Sequence, residues 1–177
     1  GSLMDVVNTG DSSMFYIVNR PFDDVRDAGR RALKAFGVKS RFVHFEFFRL
    51  NRDQHIGKKG EVVALEVNMR PSGGISPDMM NYANSTDVYK IWADMVAFDG
   101  SQKGTGERFY CAFVGRRDGK PYVHGDDEIY GRYAENLKIC QRVPHALSGA
   151  MGDRMFVANF KTKEGVDEFY KFATQCF

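Results

Sequence analysis

The chain has 177 residues, of which 43% are hydrophobic and 27% charged, and its formal net charge is only +2. This composition excludes an intrinsically disordered chain, and such an even charge distribution offers no basic stripe for a nucleic acid. No run of about 18 apolar residues is present, so we expect no membrane span. The three cysteines, Cys111, Cys140 and Cys176, fit neither a disulfide framework nor a CxxC metal site, which favours the reducing cytoplasm.

The first predicted elements are a short strand at 15–18 and a helix over 23–36. Apolar residues recur at intervals of three and four along this helix, and Gly37 stands where a capping glycine often ends a helix. Two β-branched and aromatic stretches follow at 41–50 and 61–70, and a polar loop with glycines separates them. We therefore predict a β-hairpin with a long, solvated tip.

Two helices and a boundary are predicted after the hairpin. Residues 76–78 (SPD) are typical of a helix start, with a serine cap, a proline in the first position and an acid in the first turn. Ser85 or Thr86 is expected to cap the next helix. The composition then changes to glycine, serine, glutamine and lysine near 99–106, so we place a domain boundary after residue 100.

These elements predict an α+β fold, with an antiparallel sheet and flanking helices in 1–100 and a small α+β subdomain in 101–177. The subdomain elements are expected in this order: a strand at 108–116, a turn at Asp118-Gly119, a return strand at 122–124, a helix from Asp126 to 137, a loop at 148–153, a strand at 155–160 and a helix capped by Thr162.

Two glutamates oppose each other in the predicted hairpin. In simple antiparallel register about the loop, Glu46 and Glu66 lie opposite on one face, and Asn68 follows on that face. Opposed carboxylates repel each other, and a cation between them would relieve the repulsion. Two carboxylates and an amide oxygen are hard ligands that suit Mg²⁺ or Mn²⁺ and leave positions for phosphates. These three residues are therefore the predicted metal ligands.

The same strand carries further candidate residues. Alternation places Val62 and Ala64 on the face of Glu66, with Arg70 at its far end, where a guanidinium could stabilise a phosphoryl group or an oxyanion. Ser72-Gly73-Gly74 opens towards a helix start, where backbone N–H groups can hold an anion. The alternative is that these polar residues are only the solvated face of an edge strand. The conjunction of all of them favours a site.

For the other histidine, cysteine and arginine candidates, a structural role is favoured over a role in chemistry. His44 shares the face of Glu46 and could contact a ligand, although a strand histidine is more often a hydrogen-bonded structural residue. Cys111 alternates within an apolar strand and is expected in the core. Arg116 and Arg117 flank a turn and are expected to be solvated.

Residues 44–47 (HFEF) and 66–74 (EVNMRPSGG) together resemble the ATP-grasp superfamily. Its members carry a strand glutamate, an ExNxR motif and a glycine-containing loop before a helix, and the likeness covers about residues 22–98. Members like biotin carboxylase and carbamoyl-phosphate synthetase are the most similar. The resemblance implies that Glu46, Glu66 and Asn68 bind the Mg²⁺ of ATP. It also implies that Arg70 stabilises an acyl phosphate or the incoming carboxylate.

The chain departs from the family pattern in two respects. The other half of an ATP-grasp domain, with its lysines and glycine-rich lid, is not contained in the residues before Glu46. No acidic residue stands between Arg70 and Asp78, so the resemblance does not extend to bicarbonate activation. We expect the sequence to be the C-terminal part of a longer ATP-grasp protein, inactive or nearly so by itself.

The implied function is that of an ATP-dependent ligase, which activates a carboxylate as an acyl phosphate for attack by an amine or thiol. The expected partners are a small-molecule carboxylate, the nucleophile and the missing N-terminal half, with a homodimer left open. The alternative is a non-catalytic binding or assembly module derived from the same fold. The intact set of Glu46, Glu66, Asn68 and Arg70 argues against such decay.

Overall fold

The computed structural model describes residues 8–177, which fall into two units. The hairpin unit comprises 20–78 and 86–104, and the sheet unit comprises the described residues up to 19 together with 79–85 and 105–177. In chain order the elements are β1 (Ser13–Ile17), α1 (Asp23–Ala35), β2 (His44–Arg49), β3 (Val62–Asn68), α2 (Ser76–Asn84), α3 (Val88–Phe98), β4 (Tyr110–Arg116), α4 (Asp126–Tyr133), β5 (Leu137–Arg142), α5 (His145–Met151), β6 (Arg154–Phe160) and α6 (Lys163–Thr174). Over residues 8–177, no helix is long and apolar enough to cross a lipid bilayer.

A four-stranded antiparallel sheet organises the sheet unit, in the strand order β1-β4-β6-β5. The two central strands, β4 and β6, are buried along almost their whole length. The N-terminal strand β1 lies at the edge beside β4, where Phe15 stacks on Phe113 with ring centroids 4.5 Å apart. The sheet therefore joins strands from both ends of the described chain.

One face of this sheet forms the main core with helices α4 and α6. The Thr162 hydroxyl accepts a hydrogen bond from the Gly165 N–H, so the predicted cap of the last helix is confirmed. The ring of Tyr133 meets that of Phe169 edge to face, with centroids 5.0 Å apart. The core residues are Ala112, Val114, Ile129, Tyr133, Phe156, Ala158, Phe160, Val166, Phe169 and Ala173.

Helix α1 of the hairpin unit ends as the sequence predicts. Gly37 has a φ of +61°, a left-handed conformation that favours glycine. Its N–H donates to the Lys34 carbonyl, and the Val38 N–H donates to the Leu33 carbonyl at 3.1 Å. These two bonds satisfy carbonyls that the helix end would otherwise leave unpaired.

The predicted hairpin of β2 and β3 is present, but a β-bulge interrupts it. The register shifts between Glu46 and Phe47, which leaves Leu65 without a partner. Because paired residues share a face, Ala64 then lies on the face of Phe47 and not on that of Glu66. The prediction that Val62 and Ala64 share the Glu66 face is therefore wrong.

The hairpin unit buries little apolar surface of its own. Among its residues, all of which the structure describes, Leu50 is the one hydrophobic side chain that is fully buried. Large apolar side chains stay exposed on the strands and on α3, including Leu65, Val96 and Phe98. A two-stranded sheet with so small a core is at best marginally stable alone.

The cap of α3 differs from the prediction. Asp87 caps the helix, because its carboxylate accepts a hydrogen bond of 2.9 Å from the Lys90 N–H. Ser85 and Thr86 instead donate their hydroxyls to backbone carbonyls of the segment that follows α3.

The prediction of a return strand after the turn at Asp118-Gly119 is also wrong. Tyr122 makes only an isolated bridge with Cys176, and β4 takes its partners from β1 and β6. Pro121 has no N–H, which weakens any ladder beside β4.

Two elements of the sheet unit were not predicted. The helix expected to reach 137 ends at Tyr133, and β5 begins at Leu137 because it pairs with β6. The expected loop at 148–153 contains the end of α5.

The units are discontinuous in sequence, whereas the predicted division after residue 100 is a single cut. Segment 8–19 belongs with the C-terminal residues because its strand β1 completes their sheet. Segment 79–85 joins them through backbone carbonyls, since Tyr82 accepts from the Asn159 amide and Ala83 from the Phe109 N–H. Composition alone carries no signal for pairing between distant segments.

The cysteines are expected to react very unequally. Cys111 is fully buried, and burial raises the pKa of its thiol to about 12, whereas Cys176 is exposed. Since the thiolate is the reactive form, a thiol reagent at pH 8 should modify Cys176 readily and Cys111 only after unfolding. Mass spectrometry with and without urea measures this difference. Equal labelling of both in the native protein would contradict the burial of Cys111.

Candidate functional site

Four polar side chains share one face of the β2–β3 hairpin. The structure pairs Glu46 with Glu66 and His44 with Asn68, which is the simple register that the sequence predicts for this end of the hairpin. The bulge lies between these pairs and the hairpin loop, and it creates their register. The pairing of Arg49 with Val62 near the loop would by itself place Glu46 opposite Leu65. Partners across an antiparallel ladder stand close together, and this pairing brings two carboxylates face to face.

Neither carboxylate has a Lys or Arg partner in the described part of the chain. The one ion pair is between Glu46 Oε1 and His44 Nε2, at 3.9 Å. Glu66 Oε1 accepts a hydrogen bond of 2.6 Å from the Asn68 amide nitrogen. Two opposed carboxylates without a strong cation repel each other, so the face is electrostatically suited to a bound metal ion.

The donor set fits Mg²⁺ or Mn²⁺. Glu46, Glu66 and Asn68 offer carboxylate and amide oxygens and no thiolate, and such hard ligands suit these ions. To coordinate a metal, the Asn68 amide must rotate so that its oxygen, and not its nitrogen, faces Glu66. Within residues 8–177 no three His, Cys, Asp or Glu side chains converge on a metal position. A metal held here would therefore keep positions for water and phosphates.

Two buried polar atoms on or beside this hairpin have no hydrogen-bond partner among the described residues. They are Nδ1 of His44 and Oγ of Ser72. An unpaired buried polar atom is costly, and it is usually satisfied by water or by a ligand. The structure thus places His44 within the predicted set, half-buried and with one ring nitrogen unused, rather than in a closed structural network.

The arginine and the glycine-rich loop follow directly after β3. The Arg70 guanidinium is exposed and donates to the Pro71 carbonyl at 3.0 Å. Gly74 has a φ of +60°, and the Ser76 N–H donates to the Gly73 carbonyl, so the loop turns tightly into α2. This geometry leaves the Arg70 charge without a carboxylate partner in the described chain.

One charged feature of the hairpin unit was missed by the sequence analysis. Six Lys and Arg residues against one acid lie between positions 26 and 41, along α1 and the segment after it. A charge count over short windows would have found this run, whereas the count over each half of the chain averaged it away.

Comparisons with known proteins find a likeness of fold to a solved structure. No protein-family model matches the chain, and no curated protein sequence matches it. Among solved structures, the fold is similar to the crystal structure of phosphoribosylglycinamide synthetase from Anaerococcus prevotii, with a TM-score of 0.57 and 14% sequence identity. The match covers 88% of this chain and 42% of that chain, so this chain spans less than half the length of the synthetase. The α+β fold, with antiparallel sheets and flanking helices, is confirmed.

Proposed function

We propose that this chain is the Mg²⁺–ATP-binding half of an ATP-grasp ligase, which joins a carboxylate to an amine or thiol. The observation that carries the proposal is the cross-strand pair of Glu46 and Glu66, two carboxylates without a Lys or Arg partner among the described residues. The likeness of the fold to a synthetase supports the same class of reaction, as does the ExNxR resemblance.

In this proposal the metal ligands, the arginine and the glycine-rich loop each have a separate role. Glu46, Glu66 and Asn68 hold the metal, which when bound neutralises charge on the ATP phosphates. Arg70 stabilises negative charge on the transferred phosphoryl group or on the substrate carboxylate. Ser72-Gly73-Gly74 offers backbone N–H groups and an unpaired hydroxyl to phosphate oxygens.

The chemistry conserves every group. An oxygen of the substrate carboxylate attacks the terminal phosphorus of ATP, and ADP leaves. An amine or thiol then attacks the carbonyl carbon of the acyl phosphate, inorganic phosphate leaves, and the nucleophile releases one proton to water or to the departing phosphate as the amide or thioester forms. Positioning and charge stabilisation by the residues above supply the catalysis in such a transfer.

The proposal includes a partner and a location. The hairpin unit buries one hydrophobic side chain and leaves many exposed, which fits a half-domain that needs further polypeptide to cover it. We propose that this polypeptide is an N-terminal half of the same protein, and that the fragment alone turns over little or no ATP. A reducing cytoplasm remains the predicted location.

A second candidate function has one observation in its favour. The hydrogen bond from Asn68 to Glu66 satisfies both side chains without a metal. A non-catalytic module derived from this fold could keep the face in that closed form.

Metal binding to the hairpin face separates the two candidates. We expect Mn²⁺ to broaden the NMR signals of residues around Glu46 selectively, and Glu66→Gln to weaken this binding at least about tenfold. Glu135→Gln is the matched control, since it removes the same charge from the sheet unit. If Glu66→Gln leaves the Mn²⁺ affinity unchanged, or if no signal broadens selectively, the ligase proposal is wrong and the non-catalytic module stands.

A further inference from the structure

A groove lies between helix α1 and the start of strand β2, within the hairpin unit. Its volume is about 340 Å³, which is within the range of small-molecule sites. Three arginines line it, Arg26 and Arg30 from the helix and Arg41 from the segment before the strand. Arginine is the residue that proteins use most often to bind phosphate and carboxylate groups, so three arginines along one groove favour an anionic ligand.

The arginines are poorly neutralised. Arg26 pairs with Asp23 at 3.0 Å and approaches Asp27 at 3.5 Å. The side chains of Arg30 and Arg41 have no ion pair or hydrogen bond among the described residues. Two of the three arginines of the groove therefore have no carboxylate partner among the described residues.

The wall of the groove is aromatic. Phe42 and Phe45 line the groove beside the arginines. Gly29 of α1 has no side chain opposite Phe45, and a Cβ at Gly29 would lie 3.9 Å from Cδ2 of that ring. An aromatic wall beside guanidinium forks suits a ligand that combines an anionic group with a flat ring.

This groove is distinct from the Glu46 face. The rings of Phe45 and Phe47 lie together, with centroids 5.7 Å apart, on the side of the hairpin that α1 covers. Glu46 stands between them in sequence and therefore points to the opposite side. Binding in the groove does not depend on the proposed metal site.

We infer that the groove binds a small phosphate ester with a flat ring, the chemistry shared by nucleotides and aryl phosphates. A dianionic phosphate matches two unpaired arginines, whereas a monocarboxylate would leave one positive charge unmatched. Guanidinium groups also bind phosphate oxygens through paired N–H donors. The ring then lies along Phe42 and Phe45, which excludes water from one side of the arginines.

Phenyl phosphate is the probe, and NMR titration of the 177-residue chain is the measurement. We expect saturable shifts in residues of α1 and of 41–45, with inorganic phosphate and benzoate each binding more weakly. Arg30→Gln or Arg41→Gln should weaken phenyl phosphate binding by about tenfold or more, the usual loss for a charge-assisted hydrogen bond.

Arg31→Gln is the matched control. It removes the same charge from the adjacent position of α1, but Arg31 does not line the groove. We expect its affinity for phenyl phosphate to stay within about twofold of the parent chain, since only long-range charge is lost. Circular dichroism of each variant checks that α1 remains folded.

Four results would overturn the inference: no saturable shifts, equal losses for Arg30→Gln and Arg31→Gln, benzoate binding as tightly as phenyl phosphate, or a loss of binding in Glu66→Gln. The last would assign the phosphate to the Glu46 face instead. Unchanged groove binding in Glu66→Gln, together with lost Mn²⁺ binding, would support both sites independently.

Discussion

Gly115→Ala is expected to abolish the cooperative folding of the sheet unit. A Cβ at this position would lie 1.8 Å from the carbonyl oxygen of Met151 and 2.7 Å from its carbonyl carbon. Both contacts are with backbone at the end of α5, so no side chain can rotate away. Gly152 makes the reverse approach, with a φ of +84° and a Cβ position 2.6 Å from the carbonyl carbon of Gly115. Two glycines thus permit α5 to cross β4 at backbone contact.

Urea denaturation followed by circular dichroism measures this effect. The loss should exceed the about 1–3 kcal/mol typical of overpacking, because backbone and not side chains must move. Gly131→Ala is the control, since no atom lies within 4 Å of its Cβ position on α4. It should stabilise the unit by about 0.5–1 kcal/mol, as alanine usually does in a helix interior. A Gly115→Ala protein as stable as the parent would refute the close approach.

Asp126→Asn is expected to destabilise the sheet unit by about 1–3 kcal/mol, the usual cost of leaving a buried charged donor without one of its hydrogen-bond partners. The expectation that Arg116 is solvated is wrong, because its side chain is only 7% exposed. Its guanidinium donates to Asp126 at 2.8 Å and to the His124 carbonyl at 2.7 Å. Arg154 donates to the other oxygen of Asp126. Without the carboxylate, the buried Arg116 guanidinium would lose its ion-pair partner and Arg154 would lose the same acceptor.

The matched control for this variant is Asp118→Asn. Its carboxylate pairs with Arg142 through two hydrogen bonds, but both side chains are more than half exposed. Solvent screens such a pair, so the urea midpoint should barely change. Equal shifts for the two variants would show that burial of Arg116 is not what makes its ion pair important.

Local signals in the sequence were sufficient for much of the fold. The capping glycine Gly37, the cap Thr162 and the aromatic strand before Glu46 each act within a few residues, and each could be predicted. The prediction of a return strand at 122–124 failed because turn residues indicate where the chain changes direction but not which strand will pair with it. Strand β5 was not predicted for the same reason, because it forms by pairing with β6, which lies beyond a helix in the sequence.

The sequence predicted which residues share the candidate face better than it predicted the rest of strand β3. Counting about the middle of the loop predicted the opposition of Glu46 and Glu66, and the structure has that pair. The pairs next to the loop are one residue out of the counted register, and the bulge corrects the offset before Glu46. The bulge at Leu65 could not be predicted, because an extra residue in one strand leaves no mark in composition. It changes the face of Ala64, and it brings Glu46 opposite Glu66 instead of Leu65. The unpaired Nδ1 of His44 could not be predicted from the sequence either, because only the structure shows that this atom is buried.

The position of β1 sets the order in which the protein can assemble during synthesis. Ser13 pairs with Gly115, so about one hundred residues, including the whole hairpin unit, leave the ribosome between the two strands. The edge strand must wait unpaired until β4 and β6 emerge, and contacts so distant in sequence form slowly. A cut after residue 100 would release the C-terminal segment without β1, leaving one side of β4 open to pair with another chain.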